Sequence, residues 1–194
     1  CLPYSEATRF DYERRSAISY ASNLQYVPLV LWHGTIDTWV PPEQAELLTA
    51  AVRKYDRFLP EPRWLRCAAH CPTNYDVKWE LDQMVYFQNA CEAGFETPTR
   101  FYPELNITTD EAKFFYWLGI TPSRENIFAR VRADLRNDTL AIRSENAKAV
   151  SIDLDRVSKM TTFTKFSVKS DQPLKLAVTR GSKTLFETSA KSGA

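Results

Sequence analysis

Two side chains in this 194-residue chain have the types and the order needed to activate a hydroxyl nucleophile: Asp37 and His70. A serine hydroxyl attacks a carbonyl at neutral pH only when an imidazole takes its proton. A carboxylate must in turn hold that imidazole in one tautomer and stabilise the imidazolium. In the sequence, the apolar run Leu29–Trp32 ends in His33-Gly34, and Asp37 follows, with Val40-Pro41-Pro42 directly after it. That is the pattern of an acid-bearing turn at the carboxyl end of a strand. His70 comes 33 residues later, so the two could fill the last two places of a Ser…Asp…His chain order. His70 would be the general base and then the acid for the leaving group. A carboxylate oxygen of Asp37 is then expected within about 2.6–3.2 Å of a His70 ring nitrogen.

Other residues could compete for these roles. His33, the only other histidine, closes an apolar run and reads as a hydrogen-bonded structural residue. Asp37 could cap the following helix, but it lies four residues ahead of Pro41. Asp76 and Asp82 read as solvated, and Arg14 and Arg15 as locally paired. The first member of a triad is missing. No Gly-x-Ser-x-Gly elbow occurs, and the only Gly/Ser neighbours are Gly181-Ser182 and Ser192-Gly193, in a hairpin and the tail. With Cys1 at the start and no signal-like segment, the sequence reads as a fragment. Its nucleophile and oxyanion-hole donors would lie upstream, in the missing amino-terminal part of the same protein. Alone it is expected to be inactive.

These residues need a scaffold, and the first half supplies one in pattern. Val27–Trp32 is a short continuous apolar run of the buried parallel-strand kind. Glu43–Tyr55 reads as a helix with Ala45, Leu47, Leu48, Ala51 and Val52 on one stripe, starting at Pro41-Pro42. Arg63–Ala69 is a second strand. Asn74–Ala93 is a second helix, with Val77, Leu81, Met84, Val85 and Ala90 inward and Gly94 as its cap. Strand–helix–strand–helix order predicts an α/β unit with parallel strands over residues 1–94.

From Asn126 the apolar period changes to two. Ile127, Ala129, Val131, Ala133 and Leu135 alternate with polar or outward positions, then Leu140 and Ile142 follow the hairpin signal Asn137-Asp138. Val150, Ile152 and Leu154 form another set, and Leu174, Leu176 and Val178 lead into Gly181-Ser182. Five or six half-buried strands predict a small antiparallel β-sandwich over residues 123–194. Residues 95–122, proline-punctuated and carrying Phe114-Phe115-Tyr116-Trp117, read as a linker whose aromatics pack the two parts together.

Composition narrows the function classes. A net charge of +1 gives no electrostatic case for nucleic acid or a membrane surface, and no run reaches the roughly 18 apolar residues of a membrane span. Cys1, Cys67, Cys71 and Cys91 are too few and irregular for a disulfide scaffold. Free thiols are favoured over a Cys71–Cys91 bridge, and without a Cys-x-x-Cys pair zinc is disfavoured further. No metal or organic cofactor is implied. Asn106-Ile107-Thr108 and Asn137-Asp138-Thr139 are glycan sequons only if the protein is secreted. Localisation is left open.

From Tyr12 to Gly94 the residues resemble the carboxyl-terminal part of α/β-hydrolases, most closely the prolyl oligopeptidase-like serine peptidases. The resemblance is densest in YERRSAISYASNLQYVPLVLWHGTIDTWVPPEQAELL and in the later His70. In that family an Arg-Ser-x-x-x-Tyr segment precedes the strand, here Arg15-Ser16 to Tyr20. His-Gly closes the strand, and the Asp three residues after that Gly is the triad acid, which implies this role for Asp37. Val40-Pro41 and Gln44 also match, and His70 takes the place of the family's histidine. Ala68-Ala69 depart from the glycine common before that histidine, and a sandwich is not part of the usual core. The resemblance implies a serine hydrolase, by preference a peptidase, acting on a peptide or ester substrate. A carboxylesterase of the same fold and a non-catalytic binding or scaffold protein on a degenerate hydrolase fold are the rival readings.

Overall fold

Local caps and pairings decide where the elements begin. In the structure, a computed structural model, residues 5–27, 29, 31–55, 63–66, 69–70, 82, 85, 104–156 and 163–192 are described. Helix α1 (Glu6–Glu13) starts at Ser5, whose hydroxyl accepts the Thr8 N–H at 3.1 Å. A 3₁₀ helix (Ala17–Leu24), strand β1 (Trp32–Gly34), helix α2 (Glu43–Val52) and strand β2 (Arg63–Leu65) follow. Nine further strands complete the described chain. They are β3 (Glu104–Thr109), β4 (Lys113–Phe115), β5 (Leu118–Pro122), β6 (Ala129–Arg136), β7 (Thr139–Glu145), β8 (Ala147–Asp153), β9 (Lys165–Ser170), β10 (Leu174–Arg180) and β11 (Lys183–Ala190). The chain divides into two compact units, residues 21–96 and residues 1–20 with 97–194.

In the first unit, β1 and β2 pair in parallel with register Trp32↔Arg63, His33↔Trp64 and Gly34↔Leu65. Helix α2 connects them, as a right-sized crossover between parallel strands requires. Strand β1 begins only where its expected span ended, and β2 is shorter than expected. Helix α2 buries Ala45 and Val52 as its pattern predicts, but Leu47 is 54% exposed. Thr49 takes an inward place instead, its hydroxyl donating to the Ala45 carbonyl at 2.7 Å, which removes the cost of burying it. Of the expected second helix, Asp82 and Val85 are helical and the remainder lies outside the described residues. All four cysteines lie outside them too.

The second unit holds two sheets, in strand orders β11-β10-β8-β5-β4 and β3-β6-β7-β9. Both expected hairpins form: β6 pairs with β7 across Asn137-Asp138, and β10 with β11 across Gly181-Ser182. Asn137 and Gly181 take φ of 56° and 55°, which asparagine and glycine tolerate best. The sheets are nevertheless mixed, not antiparallel throughout. Strand β7 pairs in parallel with β9, and β8 with β10. The reason is that β7 passes through one residue, Asn146, into a strand of the other sheet. Strands β9 and β10 then each return beside the strand two before them.

Within residues 95–122, expected as a linker, β3, β4 and β5 belong to these sheets, while residues 95–103 lie outside the described residues. Trp117 is fully buried, while Phe114 is 44% exposed beneath the Arg156 guanidinium, 4.9 Å away. The inward set from β6 onward includes Ala129, Val131, Ala133, Leu140, Ile142, Val150, Ile152, Leu174, Leu176 and Val178. One phase differs: Ile127 is exposed and Phe128 is buried. Phe128 is covered by Phe10 of α1 (centroids 5.0 Å) and by the edge of Tyr20 (5.5 Å). Tyr20 also donates its hydroxyl to Asp110 at 2.8 Å. These contacts place α1 with the strands, although the sequence division at residue 94 sets residues 1–20 with the first part. No helix among the described residues is long and apolar enough to cross a membrane.

Candidate active site

The end of β1 turns sharply at Gly34, which is buried and whose carbonyl accepts the Asp37 N–H at 3.3 Å. The turn is then closed by the Asp37 side chain. Its Oδ1 accepts two backbone donors, the N–H groups of Trp39 and Val40, each at 2.9 Å. Aspartate is suited to this because its short carboxylate reaches the backbone two and three residues on. With Oδ1 fixed, Oδ2 has one direction left, and it lies 2.9 Å from His70 Nδ1. The residue that β2 delivers and the residue that β1 delivers therefore meet at the carboxyl ends of two parallel strands, where open α/β sheets place their sites.

The Asp37 side chain is 4% exposed, against 41% for His70. Burial raises the Asp37 carboxyl pKa, but the Val40 N–H, the His70 ring and the Trp39 N–H together outweigh it and hold the group below its ordinary range. An ionised carboxylate only accepts. His70 must therefore carry its proton on Nδ1, leaving the Nε2 lone pair available as a base. One face of the imidazole is covered by the Trp39 indole, stacked at 5.6 Å with 23° between planes. Trp39 itself is 81% exposed. His33 approaches the same carboxylate oxygen as His70. Its Nε2–H donates to the Val40 carbonyl at 2.8 Å and is 3.5 Å from Asp37 Oδ2.

Other sequence candidates fall elsewhere. Arg14 and Arg15 both pair with Asp11, at 2.8 and 3.1 Å, matching the expected local pairing. Asp82 is exposed and Asp76 is outside the described residues. Ser182 sits in the turn after Gly181 and not between a strand and a helix. No group of three His, Cys, Asp or Glu side chains able to hold a metal occurs among the described residues. Sequence reasoning did not foresee the Trp39 stack or the use of the Val40 carbonyl by His33. The four-residue spacing from His33 to Asp37 across a tight turn is the signal that could have found the second.

An acid-bearing turn and a histidine thus meet at the ends of two adjacent parallel strands. Residues 3–93 match the model of the prolyl oligopeptidase family, so this part of the chain is similar to that family. Neither a curated protein nor a solved structure matches the chain.

Proposed function

We propose that Asp37 and His70 are the acid and the general base of a Ser-Asp-His triad that hydrolyses a peptide bond. The serine would come from a part of the protein outside this sequence, since no nucleophile elbow is present. The 2.9 Å contact from His70 Nδ1 to a buried Asp37, itself held by two backbone N–H groups, carries this reading. In the reaction, His70 Nε2 takes the serine proton as the hydroxyl attacks the carbonyl, and then gives it to the leaving amine. Asp37 stays ionised throughout and stabilises the imidazolium. The hydrolase portion is residues 1–94 by family resemblance. The two sheets would form a sandwich with a structural docking role. In its favour, Phe166 on β9 stacks on Phe186 on β11 (5.7 Å, 1°), one from each sheet.

The test is labelling by a serine-directed phosphonate in the longer protein that contains this chain and the nucleophile. Wild type should label, and His70→Ala should slow labelling by about 10³-fold or more. Residues 1–194 alone should not label. Undiminished labelling of His70→Ala would remove His70 from the mechanism.

A further inference from the structure

We propose that His33 is a positioning residue of this site, acting through the turn that holds Asp37. The inference rests on the reading of Asp37 and His70 as triad members. Val40 is gripped from both sides: its N–H goes to Asp37 Oδ1 at 2.9 Å, and its carbonyl accepts from His33 Nε2–H at 2.8 Å. The donor that fixes Asp37 is thus itself fixed by His33. Pro41 follows, which disfavours helical backbone at Val40 and biases it toward extended conformations.

The same N–H lies 3.5 Å from Asp37 Oδ2, the oxygen that bonds His70. At that length it is not a second full hydrogen bond. His33 is itself held still. Its side chain is 14% exposed, it sits in register with Trp64, and it meets the Trp64 ring edge-on (6.2 Å, 70°). Strand β2 therefore packs His33 in place and six residues after Trp64 delivers His70. One strand pair fixes both histidines beside the acid before any substrate arrives, which is how supporting residues raise the efficiency of a site they do not touch.

What the position requires is an N–H donor at the end of a planar side chain. Glutamine can supply one and leucine cannot. In the longer protein, His33→Leu should slow phosphonate labelling by about 10–100-fold, the usual cost of losing an outer supporting partner. His33→Gln should restore most of that rate at a similar unfolding midpoint. In residues 1–194, long-range ¹H–¹⁵N spectra of wild type should show His33 protonated on Nε2 and His70 on Nδ1. A His33 ring protonated on Nδ1 alone would overturn the proposal whether or not any variant folds. So would wild-type labelling by His33→Leu while His70→Ala stays dead, leaving the Asp37–His70 reading intact. Equal losses in His33→Gln and His33→Leu would reduce His33 to packing. Undiminished labelling by His70→Ala would take away both readings.

Discussion

Asp37 and Asn146 are the same device put to different ends. Each is a buried polar side chain that closes a tight connection by bonding to backbone. Asp37 binds the N–H groups of Trp39 and Val40 after β1. Asn146, 3% exposed and at φ 52°, joins β7 to β8 across the two sheets. Its amide donates to the carbonyls of Arg124 and Ile127 at 3.2 and 2.9 Å and accepts the Arg124 N–H at 3.1 Å. The difference is in what remains. The Asn146 side chain bonds to backbone of its own unit, so it makes a corner. Asp37 keeps one oxygen for His70, which reaches solvent, so its turn can do chemistry.

If that distinction is right, the two residues should fail in different currencies. Asp37→Asn in the longer protein should lower the phosphonate labelling rate by about 10³–10⁴-fold. An amide nitrogen facing His70 cannot accept from Nδ1–H and pushes the ring to the other tautomer. Stability should change far less. A labelling rate within tenfold of wild type would place Asp37 beside Asn146 as a structural residue.

Asn146→Ala should do the reverse. It deletes the bonds to Arg124 and Ile127 and forces alanine into a left-handed conformation, costing about 2–4 kcal/mol in urea unfolding. Asn146→Gly should recover only the conformational part. The protein that remains folded should label at the wild-type rate. Slower labelling of the folded fraction would show that the corner and the site are not separate.

Trp39 sharpens the comparison on the side of the site. Its indole covers one face of His70 while its backbone N–H serves Asp37. Trp39→Leu leaves the backbone bond and removes the aromatic face, which favours a charged imidazolium by about 0.5–1 kcal/mol at exposed positions. Labelling should therefore slow about two- to fivefold, with Trp39→Phe between. No change would mean that the acid turn needs only its backbone.

The same contrast explains what could be read from the sequence. The Asp37–His70 contact was legible because the two residue types, their order and the turn after the apolar run can be read locally, and because strand β1, helix α2 and strand β2 leave local patterns. The Asn137-Asp138 and Gly181-Ser182 turns were legible because their conformations favour few residues. Asn146 was not, since nothing in its neighbours' spacing shows that one strand leaves its sheet there. The parallel pairings of β7 with β9 and β8 with β10 depend on that crossing, so they were hidden with it. Leu105 and Ile107 in β3 do alternate, but Pro103 and the nearby aromatics made the stretch read as a linker. Phe128 replaced Ile127 in the core because Phe10 and Tyr20, more than a hundred residues away in sequence, cover it.

Acid should probe both units through carboxylates, with the smallest effect of the set. Asp37 is held below its ordinary value of 3.8 despite burial, by the Val40 N–H, His70 and the Trp39 N–H. Asp138 is lowered by the Thr164 hydroxyl and Lys165, more than burial raises it. A carboxyl whose folded value lies below its unfolded value stabilises the fold above the unfolded value, and that contribution fades as pH falls through the folded one. The stability difference between wild type and Asp37→Asn should therefore be full near neutrality and shrink below about pH 4. Asp138→Asn should follow the same sign with a smaller amplitude, because its Lys165 partner is exposed and screened by solvent. Amide exchange measured separately in β1–α2 and in β6–β7 would assign each loss to its unit. A wild-type minus Asp37→Asn difference that stays flat from neutral pH into acid would mean that Asp37 is not held as a carboxylate. His70 would then lose the acceptor that sets its tautomer.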